Sequence, residues 1–168
     1  MSFQERMLAA GVFEKQIIDR LNSAKSWSAF PFGQSQLPEE CRKRLIRFED
    51  SSKRPALIRW MPDVITFRDL PNGQSFVALI DAKTCPRDRP NYAIEMSAIE
   101  TAEIYTDRLY TPTFFVFDDW KLLTPREARQ RGTAGPTSNG GSGTPYLLVP
   151  KRFGKSFESV FTLIEVAS

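Results

Sequence analysis

Two β-rich segments, residues 62–70 and 74–83, flank the tripeptide Pro71-Asn72-Gly73, and this arrangement predicts a β-hairpin. Asn-Gly by itself favours a two-residue type I′ turn. Pro71, however, suits the first central position of a type I turn, and Gly73 can supply the left-handed residue that closes a longer loop. We therefore predict a three-residue loop with a bulge.

The loop length decides which side chains meet at the open end of the hairpin. A two-residue loop places Asp63 opposite Ala82, whereas a three-residue loop places Asp63 opposite Asp81, and directly opposed residues project from the same face. Residues 81 and 83 share a face because side chains alternate along a strand. The longer loop, or a bulge that shifts the pairing equally, therefore gathers Asp63, Asp81 and Lys83, and we predict this register.

Apolar residues recur at helical spacing in residues 5–23 and 93–109, which predicts two amphipathic helices. The predicted buried stripe of the first helix, with Glu14 at its rim, contains Leu8, Val12, Phe13, Ile17 and Leu21. The predicted inner stripe of the second helix contains Ala98, Ile99, Ala102, Tyr105 and Leu109. Shorter patterns predict strands over 26–32, 111–117 and 146–149, helices over 39–48 and 153–161, and a loop over 84–92.

Strand, helix and strand between residues 77 and 117 predict a crossover in which the second strand returns parallel to the first. The strand 77–83 then lies centrally, with an antiparallel neighbour on one side and a parallel neighbour on the other. The length predicts one domain, and the fold class is α/β, with a mixed central sheet flanked by helices. Residues 132–145 are rich in Gly and Ser, and we expect them to be disordered in the free protein.

The absence of histidine restricts the chemistry of this chain most strongly. It excludes Ser-His-Asp and Cys-His catalysis and histidine-ligated zinc. Cys41 and Cys85 form no Cys-x-x-Cys pair, and we expect a reduced, cytoplasmic setting. The first residues predict an amphipathic helix rather than a secretion signal, and no apolar run approaches the length of a membrane span. Hydrolytic chemistry must therefore use carboxylates, lysine, tyrosine or a hard metal held by oxygen.

The net charge of +3 is unevenly distributed along the chain. Basic segments at 42–59 and 121–155 flank an acidic segment at 95–119, which suits a polyanionic substrate such as DNA. The alternative interpretation is that these charges form ordinary solvated surfaces. The candidate DNA contacts are Arg42, Lys43, Arg44, Lys53, Arg54, Lys121, Arg126, Arg129, Arg131, Lys151 and Arg152.

The side chains of Asp63, Asp81 and Lys83 match what phosphodiester hydrolysis requires. A cation must sit where negative charge develops, and water must be activated near neutral pH. Mg²⁺ needs only one or two carboxylates, which Asp63 and Asp81 can supply, and the backbone carbonyl of Ala82 could add another ligand. Lys83 could orient or deprotonate the attacking water or stabilise the transition state. The alternative is an ion pair on an exposed strand, but charges ending so apolar a strand are costly unless paired or metal-bound.

Trp60-Met61-Pro62-Asp63, followed by the hairpin and by Ile80-Asp81-Ala82-Lys83, resembles the PD-(D/E)XK nuclease motif. The resemblance implies a restriction-endonuclease-like core of order α-β-β-β-α-β over about residues 5–120. It also implies Mg²⁺ or Mn²⁺ bound through Asp63 and Asp81, with Lys83 as the catalytic lysine. Many members add a glutamate from the first helix, which corresponds here to Glu14. The insert 33–56 and the chain after 120 have no counterpart in this pattern.

Gly-x-x-Glu in the first helix, Pro-Asp and Asp-x-Lys on a short chain are most similar to archaeal-type and phage Holliday junction resolvases. That similarity implies a homodimeric endonuclease of prokaryotic or phage origin that cuts branched or duplex DNA during recombination or repair. Two alternatives remain: a restriction-type or repair nuclease on the same core, and a catalytically silent subunit that binds DNA or serves assembly.

Overall fold

The computed structural model describes residues 3–45, 54–136 and 144–162. The helices are α1 (Phe3–Asn22), α2 (Glu39–Leu45), α3 (Arg54–Arg59), α4 (Met96–Asp107) and α5 (Pro125–Arg131). The strands are β1 (Trp27–Pro31), β2 (Val64–Asp69), β3 (Ser75–Lys83), β4 (Asn91–Glu95), β5 (Thr113–Phe117), β6 (Lys121–Leu123), β7 (Thr133–Ala134), β8 (Tyr146–Pro150) and β9 (Lys155–Ser156). No helix of these ranges is both long enough and apolar enough to cross a membrane.

A mixed sheet with the strand order β1-β2-β3-β5-β6-β9 forms the centre of the described chain. Strands β1, β2 and β3 are an antiparallel meander, and β5 returns parallel to β3 after α4. The predicted central position of β3, between an antiparallel and a parallel neighbour, is confirmed. A smaller sheet of order β4-β8-β7 joins β4 to two strands from the chain after residue 120, for which the sequence pattern provided no counterpart.

The β2–β3 hairpin has the predicted three-residue loop and register. Gly73 adopts a φ of 77°, the left-handed conformation that closes this loop. Val64 lies opposite Ile80. Asp63 directly precedes the paired residues, and its N–H donates to the Ile80 carbonyl at 2.9 Å, which keeps it at the open end of the hairpin.

The central sheet is buried on both faces, and the alternation along β5 shows which face each strand residue serves. Phe114 belongs to the core under α1, and Phe115 belongs to the core under α4 and the smaller sheet. In β3, Ile80 lies beside Phe114 and Asp81 lies beside Phe115. Because neighbouring residues in register project to the same face, the Asp81 side chain points to the α4 side.

The segment after β3 differs from the prediction of a loop over 84–92 followed by a helix from 93. Asn91–Glu95 is strand β4, and α4 begins at Met96. Tyr92 and Ile94 are completely buried, and they alternate with more exposed residues as a strand requires. The strand forms because β8 pairs with it along its whole length, and that partner lies far along the chain.

The predicted helical stripes were partly wrong at their ends. In α1 the buried stripe consists of Phe13, Ile17 and Leu21, whereas Leu8 and Val12 are 73% and 51% exposed. Neighbouring positions on a helix are turned by about 100°, so Val12 lies beside the stripe rather than in it.

The predicted stripe of the second helix was also wrong at one end, the C-terminal end of α4. Ala98, Ile99 and Ala102 are buried as predicted, and Tyr105 is half-buried. Leu109 lies beyond the last helical residue, Asp107, and it is 58% exposed.

Two predictions for the C-terminal third also need correction. Residues 153–161 do not form one helix: short 3-10 turns at Lys151–Phe153 and Phe157–Ser159 flank strand β9. This happens because β9 pairs with β6, while Phe157 and Phe161 insert into the core.

Of the segment 132–145, expected to be disordered, Thr133–Ala134 pairs with β8, and residues 137–143 lie outside the described ranges. The predicted helix 39–48 is present as α2, and residues 46–53 also lie outside those ranges.

Candidate active site

Asp63, Asp81 and Lys83 converge at one end of the central sheet. Asp63 directly precedes β2, while Asp81 and Lys83 lie near the end of β3. The Oδ2 atom of Asp63 accepts a hydrogen bond from the Ala82 backbone N–H at 2.9 Å. The Nζ atom of Lys83 lies 3.1 Å from Oδ1 of Asp81. The hairpin register therefore brings together the three side chains that the sequence singled out.

Glu14 approaches the same site from α1, which packs on the opposite face of the sheet through Phe13. Burial raises the pKa of Glu14, and the nearby Asp81 carboxylate raises it further. Glu14 in turn helps to raise the pKa of Asp63. The first-helix glutamate thus belongs to the same electrostatic cluster, and the site draws on both faces of the sheet.

The two aspartates are held in an environment that disfavours their charged forms. Burial is the main reason that the pKa of Asp63 lies well above its ordinary value, and the carboxylates of Asp81 and Glu14 add to it. Burial also raises the pKa of Asp81, although Lys83 acts in the opposite direction. A bound cation stabilises the charged forms of clustered, buried carboxylates of this kind.

Lys83 is an ammonium group in this arrangement. Burial alone would lower its pKa, but the carboxylates of Asp81, Glu95 and Asp63 outweigh burial and hold the pKa above its ordinary value. The side chain is 19% exposed. Donating hydrogen bonds to a water or a phosphate oxygen is the role, among those considered from sequence, that an ammonium beside these carboxylates can perform.

Glu95 is a fourth acidic residue at the site, and the sequence motif did not single it out. It is the last residue of β4, and its Oε2 atom lies 3.4 Å from Nζ of Lys83. Burial would raise the pKa of Glu95, but Lys83 lowers it more, so that the net pKa is below the ordinary value. A charged residue at the end of a buried strand is the signal that marks Asp81, and it applies equally to Glu95 once residues 91–95 are a strand instead of the predicted loop and helix.

Gly33 is a second residue that sequence reasoning missed. The N–H groups of Phe32 and Gly33 both donate to the Asp63 carbonyl, at 2.7 and 3.1 Å. A Cβ atom on Gly33 would lie 2.9 Å from the Cα atom of Asp63. The backbone after β1 therefore packs directly on Asp63, and a side chain at position 33 does not fit.

The donor atoms of the site fit a hard divalent cation. Asp63 and Asp81 present carboxylate oxygens from adjoining strands. The N–H of Ala82 points toward Asp63, to which it donates. Because the N–H and the carbonyl of one residue point to the same side of a strand, the Ala82 carbonyl also points toward Asp63. Within the described ranges, no group of three or more acidic or cysteine side chains is close enough together to bind one metal ion. Mg²⁺ commonly uses one or two carboxylates and completes its shell with water.

One group of predicted DNA contacts lies on α2. Arg42, Lys43 and Arg44 occupy its last turn and are exposed, and Lys43 pairs with Glu39 at 2.9 Å. Lys53 lies outside the described residues, and Arg54 begins α3 with its side chain outside them.

The predicted DNA contacts on α5 serve different purposes. Arg129 makes a bidentate ion pair with Glu103, at 2.6 and 2.8 Å, that ties α5 to α4. Arg131 lies over the ring of Phe153 at 5.1 Å and is exposed, as is Arg126 in the first turn. Arg129 is therefore a structural residue of this helix, while Arg131 faces solvent.

The last group of predicted DNA contacts is Lys121, Lys151 and Arg152, of which Lys151 contacts the loop that follows Lys83. The ammonium of Lys151 donates a hydrogen bond to the Pro86 carbonyl at 3.1 Å. The guanidinium of Arg152 lies over the ring of Phe153 at 4.9 Å. Lys121 begins β6. Lys151 also lines a surface cleft beside the site together with Cys85, Arg87, Asp118 and Asp119.

No protein-family model and no curated protein sequence matches the chain. A solved structure, that of Hjc from Archaeoglobus fulgidus, a Holliday junction resolvase from an archaeal hyperthermophile, is similar with a TM-score of 0.53. The similarity covers 93% of this chain and 98% of that chain at 11% sequence identity. It confirms the predicted fold, a restriction-endonuclease-like mixed sheet flanked by helices.

Proposed function

We propose that this chain is a divalent-cation-dependent nuclease that hydrolyses phosphodiester bonds in DNA. The observation that carries the proposal is the convergence of Asp63, Asp81 and Lys83 at the open end of one hairpin. Their pairing of clustered carboxylates with a buried ammonium suits a reaction in which negative charge develops on a phosphate. A nuclease fold seen in a resolvase agrees with this chemistry.

Asp63 and Asp81 are the residues that would hold Mg²⁺, with Mn²⁺ as a substitute, and the Ala82 carbonyl and Glu14 would be further ligands. When bound, the ion supplies positive charge beside the scissile phosphate and helps to activate water. Lys83 donates hydrogen bonds from its ammonium to the water or to a phosphate oxygen. The hydrogen bond from Ala82 to Asp63 keeps one carboxylate oxygen in a defined place, which limits the reorganisation that the reaction needs.

We propose branched DNA as the preferred substrate and a homodimer as the active form. Both ideas draw on the fold shared with a Holliday junction resolvase. Two symmetric sites on one dimer would cut two strands of a junction. Arg131 and Arg152, stacked on Phe153, and Lys151, beside the loop after Lys83, would contact phosphates.

Cleavage of supercoiled, linear and four-way-junction DNA with Mg²⁺ tests these proposals. We expect Asp81→Asn and Lys83→Ala to lower the cleavage rate by about 100-fold or more, as removal of a transition-state contact does elsewhere. Glu103→Gln, which breaks an ion pair away from the site, is the matched control and should cut normally.

Each alternative has its own outcome in this assay. A Lys83→Ala or Asp81→Asn variant that cuts like the parent contradicts the mechanism. Equal cutting of junction and linear DNA contradicts the resolvase assignment but leaves the nuclease intact. A wild-type chain that binds DNA and never cuts it favours the silent binding subunit.

A further inference from the structure

We propose that Glu95 is a positioning residue of this site: it takes over the ammonium of Lys83 when a divalent cation occupies the Asp81 carboxylate. The inference deepens the proposed function and rests on it. Glu95 would act through Lys83 and would not itself bind the cation.

Lys83 lies between two carboxylates that come from different sheets. Asp81 is two residues away on β3, and its Oδ1 atom is 3.1 Å from the ammonium. Glu95 ends β4 in the smaller sheet, and its Oε2 atom is 3.4 Å from the same ammonium. A small movement of the Lys83 side chain is therefore enough to exchange one partner for the other.

The Asp81 carboxylate has two competing uses. It is the nearer ion-pair partner of Lys83, and it is also a proposed ligand of the cation. A divalent cation on Asp81 repels the ammonium, so the pair between Asp81 and Lys83 must weaken when the cation binds. Lys83 then needs a second acceptor if it is to remain in the site.

Glu95 has a carboxylate oxygen available for this purpose. The side chain is 40% exposed, but its Oε2 atom is buried, and the 3.4 Å contact with Nζ of Lys83 is an ion pair without good hydrogen-bond geometry. A buried carboxylate oxygen without a hydrogen bond is costly. A shift of the ammonium toward Glu95 would supply that bond and offset the weakening at Asp81.

The backbone around Glu95 is firmly held, as a positioning role requires. Glu95 pairs with Tyr146 in the ladder between β4 and β8. The following residue, Met96, donates its N–H to the Pro145 carbonyl at 2.9 Å. Ile94 is completely buried. The carboxylate is thus presented to Lys83 from the rigid junction of a strand and a helix.

Mn²⁺ binding to four forms of the full chain tests the inference without DNA: wild type, Glu95→Gln, Lys83→Met and the double variant. The dissociation constant is measured by electron paramagnetic resonance of free Mn²⁺. We expect Glu95→Gln to weaken Mn²⁺ binding about 10-fold in the wild-type background, a typical loss when a residue supporting the ligands is changed. In the Lys83→Met background the same substitution should change binding by less than about twofold, because its partner is gone.

Two outcomes of the comparison between backgrounds would overturn the inference. An equal loss in both backgrounds would make Glu95 a direct ligand of the cation, and no loss in either would give it no role. Glu103→Gln, on the helix that follows Glu95 but paired with Arg129, should bind Mn²⁺ like the wild type. Glu95→Asp, which keeps the charge on a shorter side chain, replaces Glu95→Gln if that variant fails to fold, with the same two expectations.

Mn²⁺ binding and DNA cleavage, measured separately, distinguish a wrong role for Glu95 from a wrong nuclease assignment. A wild-type chain that binds Mn²⁺ but cuts no DNA contradicts the nuclease, while the four dissociation constants still decide the role of Glu95. A wild-type chain that binds no Mn²⁺ contradicts both.

Discussion

The Oδ2 atom of Asp63 accepts a hydrogen bond from the Ala82 backbone N–H at 2.9 Å, across the open end of the β2–β3 hairpin. This bond joins Asp63, which directly precedes β2, to Ala82 near the end of β3. It fixes the Asp63 carboxylate beside Asp81, where the proposed cation would bind. Substitution of Asp63 by asparagine separates the effect of this hydrogen bond from the effect of the charge, because asparagine keeps an acceptor oxygen and loses the negative charge.

We expect Asp63→Asn to weaken Mn²⁺ binding at least 10-fold, with unfolding free energy in EDTA equal to or above the wild type. The stability expectation follows because the substitution removes a buried carboxylate whose pKa burial and its acidic neighbours raise. Asp63→Ala also loses Mn²⁺ binding, but it leaves the Ala82 N–H without its partner and should lower the unfolding free energy by about 1–3 kcal/mol. Urea denaturation with and without EDTA measures the stability and Mn²⁺ titration measures the binding. Normal Mn²⁺ binding by Asp63→Asn would remove Asp63 from the ligand set.

Gly33→Ala should disturb the site without adding any charge. The new Cβ would lie 2.9 Å from the Asp63 Cα atom, so the backbone must shift. We expect a loss of about 1–3 kcal/mol in unfolding free energy together with weaker Mn²⁺ binding. The matched control is Gly11→Ala in α1, where a Cβ meets nothing within 4 Å; it should raise the unfolding free energy by about 0.5–1 kcal/mol. A Gly33→Ala variant as stable as the wild type would contradict the close packing.

The hairpin loop should tolerate asparagine better than alanine at position 73. Gly73 has a φ of 77°, and nothing lies within 4 Å of a Cβ placed there. The cost of a side chain is therefore conformational, about 1–2 kcal/mol for alanine and less for asparagine, which tolerates the left-handed region. Thermal unfolding compares the two variants. Mn²⁺ binding should stay normal in both, since the buried faces of β2 and β3 maintain the register; equal stability of the two variants would contradict a left-handed residue at this position.

Glu127 should stabilise the protein in a pH-dependent manner. It completes a capping box with Thr124 at the start of α5 and also pairs with Lys155. Burial would raise its pKa, but Lys155 and the hydrogen bonds from Thr124 outweigh burial and lower the pKa below 4.5. A lowered folded-state pKa means that the contribution is complete above the unfolded-state value and is lost as pH falls through the folded-state value.

We therefore expect Glu127→Gln to cost about 0.5–2 kcal/mol at neutral pH, with the difference from wild type shrinking as the pH falls below 4.5, the ordinary value. Urea denaturation at a series of pH values measures the difference. A constant difference down to about pH 3 would show that the charge of Glu127 contributes nothing.

The arginines near α5 should differ in their contribution to DNA binding. Arg131 and Arg152 present exposed guanidinium groups over Phe153, whereas Arg129 is committed to Glu103. Removing one phosphate-binding side chain reduces the slope of log K against log salt by about one. We expect Arg131→Ala and Arg152→Ala each to do so for junction DNA without divalent cations, while Arg129→Ala leaves the slope unchanged. Fluorescence anisotropy over a salt series reads the slopes, and a reduced slope for Arg129→Ala would assign that residue to the DNA instead.

Local sequence signals were enough to predict that Asp63, Asp81 and Lys83 converge at the end of the hairpin. Turn chemistry at Pro71-Asn72-Gly73 set the hairpin register, and the two-residue period of a strand placed Asp81 and Lys83 on one face. The continuous apolar run before Asp81 correctly indicated a central, buried strand. These predictions succeeded because they depend on interactions between residues close together along the chain.

The surroundings of that centre were decided by tertiary structure. Glu95 reaches Lys83 only because β4 pairs with β8, a strand that lies far along the chain and leaves no trace in the local pattern of residues 91–95. Gly33 packs on Asp63 because the end of β1 happens to meet the start of β2. Periodicity reports which face of an element is apolar, but not which distant element covers it, so only the packed structure identifies these contacts.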